Sequence, residues 1–448
     1  MKKMLTMLFA VLLAVTVAWA EEAAPTVYTS GEWKYILLED GTAEIAGYAG
    51  SASTLTVPAE IDGYAVTGIG NKAFYEYRSL TSITLPDSIT NIGDKAFYWC
   101  PFLTSITLPD SITSIGDHAF VYCISLASVT LPDSLTSIGD SAFWDCDFLT
   151  SIALPDSLTE IGTNPFASCQ KLTDIIVSPD HPTLATIDGV LFDKTEKRLI
   201  CYPHAYTNSS YVVPQGIRSI GVNAFTECTS LTSITLPDSL TGIENYAFWQ
   251  SASLASITLP DSLKSIGDYA FSHCLSLTSI TLPDSLISIG ALAFCSCESL
   301  TSITLPDSLT SIGDRTFAGC LSLTSITLPD SLTSIGEEAF RYCKALTSIT
   351  LPNSLTSIGD YAFSSCDSLT SITLPDSLTS IGESVFGACT SLTSVVLPDS
   401  LTSIGDGAFE QCSPGITLTI PRDTWLVQWC KDNGLRYTYP DANDWLLE

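Results

Sequence analysis

Apolar residues return along this chain every 23 positions. In one unit Leu369, Ile372 and Leu374 are followed by Leu378, Ile381, Phe386 and Cys389, with serine, threonine or aspartate between them. Spacings of three and two put leucine and isoleucine on one side of a short strand, with Ser371 and Thr373 on the other. Pro-Asp-Ser and Ile-Gly-Asp supply turns. The segment "YAFSSC" is too short for an isolated helix and predicts a single helical or 3-10 turn. Phenylalanine keeps the period at 74, 97, 120, 143 and 166, then from 225 through 409, and proline keeps it at 86 to 155 and 214 to 421. One unit alone cannot bury its two flat faces, so the units are expected to stack as a solenoid whose ends need caps.

Both caps are legible. "WKYILLEDGTAEIAGYAG" alternates and turns at Asp40-Gly41, which predicts a hairpin. "PRDTWLVQWCKDNGLRYTYP" predicts a short helix from about Asp423 to Asn433 followed by a strand. The interruption between Phe166 and Phe225 spans 59 residues. Within it, "GVLF" and "RLICYP" flank a charged turn and predict a hairpin protruding from the stack and a joint between the two runs of units. The expected organisation is a leader over 1–20, an N-terminal β cap over 21–70 and a first repeat block over 71–170. A divergent repeat with the hairpin insert follows over 171–214, then a second block over 215–412 and a C-terminal cap over 413–448.

The leader has Lys2 and Lys3, an apolar run from Met4 to about Val17, and Ala18-Trp19-Ala20, the pattern of a cleaved secretory signal. No later run is long and apolar enough to span a membrane, and the expected location of the mature chain is outside the cell or on its surface, as a monomer. A net charge of -30 repels phosphate backbones and argues against nucleic acid as a partner.

Of the fifteen cysteines, twelve occupy one position of the repeat, from Cys100 to Cys412. Equivalent positions in stacked coils point the same way, and a disulfide needs side chains that face each other, so a column of buried thiols is expected. Cys201, Cys295 and Cys430 fall outside that register.

The unit "LTSITLPNSLTSIGDYAFSSC" (346–366) resembles the BspA-type leucine-rich repeat, also described from treponemal surface proteins, and the likeness runs from Trp33 to Tyr439. "IDGVLF", "LICYP" and "SYVVP" in 187–214 are similar to an inserted unit of that family, and "LTVPAEIDGYAVTGIGNKAF" (55–74) to its opening. The resemblance implies a solenoid with the "TSITLP" strands as a parallel sheet on the concave side. It also implies a surface protein of the kind engaged in adhesion to matrix proteins or other cells.

Little in the chain points to catalysis. His181 and His204 lie in the insert with Asp180 and Asp193, but not at metal-ligand spacing, and no nucleophile with an identifiable base is present. A hydrolase using the 180–204 insert is the competing class, and a structural spacer without a ligand is a third reading. No cofactor is expected. Aspartates recur in two columns, one containing Asp87 and Asp110 and the other Asp94 and Asp117, and weak Ca2+ adsorption there is the one cation expectation. For an extracellular protein or glycan, two surfaces compete. One is the strand face with Ser105, Thr107, Ser371 and Thr373. The other is the outer turn, where the early units carry Tyr98, Trp99, Tyr122 and Trp144.

Overall fold

The computed structural model describes residues 25–440. The predicted leader lies outside the described residues. Each coil has three sides. The first is the "SIT" strand: Ser82–Thr84, Ser105–Thr107 and Ser128–Thr130 pair in parallel, residue for residue at the 23-residue offset. The second is a shorter strand that the sequence pattern did not announce, the two residues before each glycine of the Ile-Gly pair; Asn91–Ile92, Ser114–Ile115 and Ser137–Ile138 also pair in parallel. The third is the segment around phenylalanine. Ile106, Ile115 and Phe120 point inward from the three sides and are buried, and the phenylalanine rings stack at 5.1 Å between Phe97 and Phe120 and again between Phe120 and Phe143.

The third side is not helical. Lys95 and Trp99 have φ of 55° and 57°, and His118 and Tyr122 have 58° and 63°, so a left-handed residue sits two places on either side of the phenylalanine. Hydrogen bonds alternate: Tyr98 N–H donates to Lys95 O within its own coil (3.1 Å), while Trp99 N–H donates to Val121 O of the next (2.8 Å). A helical turn would direct every N–H into its own coil and lose that ladder. Chained β-turns keep it, and the parallel stacking they permit outweighs the ~1–2 kcal/mol cost of each left-handed residue. Among the described residues the one α-helix is Trp425–Asp432 in the C-terminal region. It buries Leu426 and Cys430, sets Trp429 edge-on to Phe409 at 6.2 Å, and is followed by Arg436–Thr438, which pairs with Thr417–Thr419. At the other end Tyr28–Ser30, Trp33–Leu37 and Ala43–Tyr48 form an antiparallel ribbon, and Ala43–Tyr48 runs parallel to Tyr64–Ile69.

The insert does not protrude. Leu184–Ile187, Val190–Asp193 and Arg198–Cys201 form an antiparallel sheet, and the last of these pairs in parallel with Ser219–Ile220 of the second block. Val190, Phe192 and Leu199 pack into the second block's core, whereas Leu191, Ile200 and Cys201 pack into the first block's core. The hairpin is a partition with two buried faces, because both of its sides are apolar and each repeat block offers an open end to cover. Both strand ribbons break at this joint. A hollow of about 690 Å³ lies at that break against the second ribbon rather than against the "SIT" strands.

All fifteen cysteines are free. Cys100, Cys123 and Cys297 each donate their thiol to the carbonyl of the phenylalanine 26 residues earlier, at 3.2 Å. Ser251 holds the same position in its coil and makes the same bond at 2.6 Å to Phe225 O. The column is therefore a file of small donors. Burial pushes the Cys100 thiol up to about 12, which leaves no reactive thiolate at neutral pH. Cys297→Ser is expected to stay within about 1 kcal/mol of the parent in urea unfolding, and Cys297→Ala to lose about 1–3 kcal/mol by removing one of the two donors to the Phe271 carbonyl, which keeps the Cys274 N–H at 3.1 Å, and opening a void beside it. Equal losses for both variants would contradict a donor role.

Candidate binding surface

On the turn ribbon, the left-handed positions two before and two after each phenylalanine carry most of the variation among units. Among the described coils with positive φ there, none is valine, isoleucine or threonine, as expected where a β-branched side chain would clash with its own backbone. Within that filter the first coils carry Trp99 and Tyr122, and the position directly after phenylalanine adds Tyr75, Tyr98 and Trp144. Tyr75 and Tyr98 stack at 5.0 Å. Trp99 and Tyr122 meet edge-on at 5.5 Å and are 37% and 42% exposed, while Tyr98 and Trp144 are half-buried.

The structure gathers three of the four predicted aromatics into one cleft of about 330 Å³. Tyr98, Tyr122 and Trp144 line it together with Trp249, His118, Val121, Asp145 and Glu227. Trp99 stands beside it against Tyr122. The cleft crosses the joint. Asn164 Nδ2 donates to Asn223 O at 2.7 Å, and at the phenylalanine position Tyr202 of the insert comes between, its N–H donating to Ala224 O at 2.9 Å and its ring stacked on Phe225 at 5.0 Å, so the turn ribbon bridges the 59 residues between Phe166 and Phe225. Between the coils of Trp144 and Trp249, Ala167, Ser168 and Thr226 are small and buried, so the two tryptophans stand on either side of a low floor. Sequence reading missed Asp145 and Glu227. The signal was available, since both lie two residues after a phenylalanine, as Tyr122 does, but the interruption hid that their coils are close.

Charge in the cleft is one-signed. The Asp145 carboxyl is pushed up to about 7, first by burial and then by Glu227 and Asp147. Asp147 is raised by burial as well, partly offset by His204 and Lys171. Because the folded value for Asp145 lies above the ordinary ~3.9, its stabilising effect is complete below about pH 4 and is lost as pH rises through about 7. Asp145→Asn is accordingly expected to melt above the parent at pH 8, with the gap narrowing as pH falls toward 4.5. A gap independent of pH would contradict this.

The other predicted positions separate into working and free groups. Ser105, Thr107, Ser371 and Thr373 are all exposed, in files along the first ribbon. The neighbouring Thr104 and Thr113 instead donate to carbonyls one coil back at 3.1 Å, and Ser134 donates to Ile112 O at 2.6 Å. Those repeats of serine and threonine are explained by stacking. So is the second aspartate column, since Asp94 and Asp117 each accept the N–H of the next coil's aspartate, at 2.9 and 2.7 Å.

The insert's polar residues do not converge. His181 is fully buried, its Nδ1 accepting from Leu184 N–H at 3.1 Å and its Nε2 lying 3.1 Å from Pro155 O. Asp193 caps the N–H groups of Thr195 and Glu196, while Asp180 is exposed. His204 lies on the turn side with Gln170, Glu227 and His273. Among the described residues no group of histidine, cysteine and carboxylate side chains is placed to hold a metal ion, and no helix is long and apolar enough to cross a membrane.

Parallel strands, an apolar column per coil and a variable outer turn define a leucine-rich repeat solenoid. The family model described as the BspA type leucine rich repeat region matches residues 67–198, 200–324 and 310–427, and the chain belongs to that family. It is similar to the crystal structure of a leucine rich cell surface protein from Faecalibacterium prausnitzii, at 32% identity and a TM-score of 0.53, over 68% of this chain and 95% of that one. It is also similar to a leucine-rich repeat protein from Bacteroides ovatus, at 30% identity and a TM-score of 0.51, over 92% of this chain and 99% of that one. A leucine-rich repeat protein from Eubacterium ventriosum shares the fold at 24% identity and a TM-score of 0.58. A comparison with curated proteins finds no match.

Proposed function

We propose that this protein is an exported, non-enzymatic scaffold that acts in adhesion, holding a protein or glycan partner at the cell surface through its outer turn ribbon. The observation that carries the reading is the cleft in which Tyr98, Tyr122, Trp144 and Trp249 converge across the joint. Packing alone leaves Trp99 and Tyr122 substantially uncovered, and partly exposed aromatics in a concave site contribute most where a partner covers them. The exposed Ser and Thr files offer a repetitive partner many weak contacts in addition. A relative of 32% identity being a cell surface protein supports the location.

The test is binding of the mature chain to arrayed matrix proteins and glycans. Saturable binding is expected, and insensitivity to EDTA is the outcome if the aromatic contacts alone carry it. Alanine at Trp99, Tyr122 and Trp144 together is expected to weaken it at least tenfold while the circular dichroism spectrum is retained. A spacer without a ligand would show no saturable binding on any array, and that result would overturn the reading.

A further inference from the structure

The turn ribbon contains the same chemical arrangement three times, twice filled and once empty. Near its start, the Arg78 guanidinium lies 4.7 Å from the centre of the Trp99 ring and pairs with Glu76 at 3.1 Å. In the second block, the Arg341 guanidinium lies 4.8 Å from the Tyr342 ring and 5.3 Å from the Tyr361 ring, and pairs with Glu338 at 3.1 Å. Glu76 and Tyr342 stand two residues after a phenylalanine, and Glu338 and Tyr361 two before one. In each case the chain places its own arginine between an aromatic face, Trp99 in the first and Tyr342 with Tyr361 in the second, and a carboxylate of the outer turn.

The joint cleft has the rings and the carboxylates without the arginine. Tyr98, Tyr122, Trp144 and Trp249 line it with Asp145 and Glu227, and no lysine or arginine is among those lining residues. His118 engages the Asp140 carbonyl through Nδ1 at 2.9 Å. The nearby Lys171 sits over the Phe148 ring at 3.5 Å. Three polar atoms in this region find no partner within the chain: Asp147 Oδ1, His204 Nδ1, and Oγ of Ser168, whose residue is 2% exposed in the coil between the two carboxylates.

We propose that this cleft takes the guanidinium of an arginine side chain presented by a protein partner, seated against the rings and paired with Asp145 and Glu227. A guanidinium suits the site better than an ammonium because it is planar, weakly hydrated and forked, so it stacks on a ring and bonds two carboxylates at once. The -30 charge of the chain adds long-range attraction for a basic partner. The inference rests on the binding function proposed above and specifies the partner's chemistry. Crowding supports it: burial first and then Glu227 and Asp147 hold the Asp145 carboxyl up, and a cation paired with the carboxylates would offset both. The other titratable groups facing the cleft are His118, Tyr98 and Tyr122, with His204 and Lys171 facing Asp147. The bound state favours ionised Asp145, so affinity is expected to rise from pH 6 to pH 8.

The experiment is an NMR titration of the mature chain carrying fluorotryptophan, with Trp144 and Trp249 assigned by substitution. The probes are N-acetyl-arginine methylamide, its neutral citrulline counterpart and its lysine counterpart. Saturable shifts confined to Trp144 and Trp249 are expected with the arginine probe, at least tenfold weaker with citrulline and at least threefold weaker with lysine. Asp145→Asn combined with Glu227→Gln is expected to weaken the arginine probe at least tenfold while the other tryptophan resonances stay in place. No saturable shift, equal response to citrulline, or shifts spread over the other tryptophans of the mature chain would overturn the site. Lysine binding as tightly as arginine would overturn the guanidinium assignment. If the arrays show aromatic-dependent binding while the arginine probe leaves Trp144 and Trp249 unmoved, this inference fails and the binding function stands.

Discussion

Replacing Phe271 by alanine is expected to cost about 3–5 kcal/mol, the usual range for emptying a fully buried phenylalanine site. The ring lies between Phe248 at 5.1 Å and Phe294 at 5.4 Å, with interplanar angles of 4° and 3°. It is therefore the contact through which the coil holds both neighbours, and in a solenoid that coupling is what makes unfolding cooperative. Loss of the ring is expected to convert one urea transition of the second block into two, with amide exchange accelerated in the coils beside Phe271. Amides between Phe97 and Phe143 are expected to keep their protection, because the joint partition separates the two cores. Phe409→Ala, at a site 6% exposed with an edge-on tryptophan on one side, is expected to cost less. A single transition shifted by under about 1 kcal/mol in Phe271→Ala would contradict the column's role.

The second large effect is expected from one methyl group. In Gly116→Ala the new Cβ would lie 2.5 Å from Asp94 Oδ1 and 2.7 Å from Asp94 N. Neither atom is free to withdraw, since Asp94 Oδ1 already accepts the Asp117 N–H at 2.9 Å and the Asp94 backbone belongs to the stacked turn. Relief requires the coils to separate, so the cost is expected to reach about 3 kcal/mol or more, the upper part of the overpacking range. Gly242→Ala is the control: its Cβ would meet nothing closer than 3.5 Å, and a change within about 0.5 kcal/mol is expected. Urea midpoints for the two variants decide the matter. Similar values would mean that glycine at the Ile-Gly position is not there for close approach.

Much of the molecule could be read from the residues. The positions of Leu369, Ile372, Phe386 and Cys389 announce a core because nothing but a neighbouring copy can cover them. Ser251 in the cysteine column explains that column only once its bond to Phe225 O is known. Sequence pattern also located the apolar strands of the insert and the aromatic bias of Tyr98, Trp99, Tyr122 and Trp144. It misjudged the insert's exposure, because a hairpin with two apolar faces looks the same on paper whether it protrudes or divides two cores.

What the sequence by itself determined is the period, the stacking and the side chains that each coil buries, since those follow from short-range spacing repeated without change. Three things waited for the tertiary structure. The turn ribbon adopts left-handed residues such as Trp99 and Tyr122 because only the next coil's carbonyls reward that backbone. The insert became a partition because two open core ends were available to its faces. Trp249 and Glu227 joined Trp144 and Asp145 because the fold of the insert, and no local pattern, sets the register across the interruption.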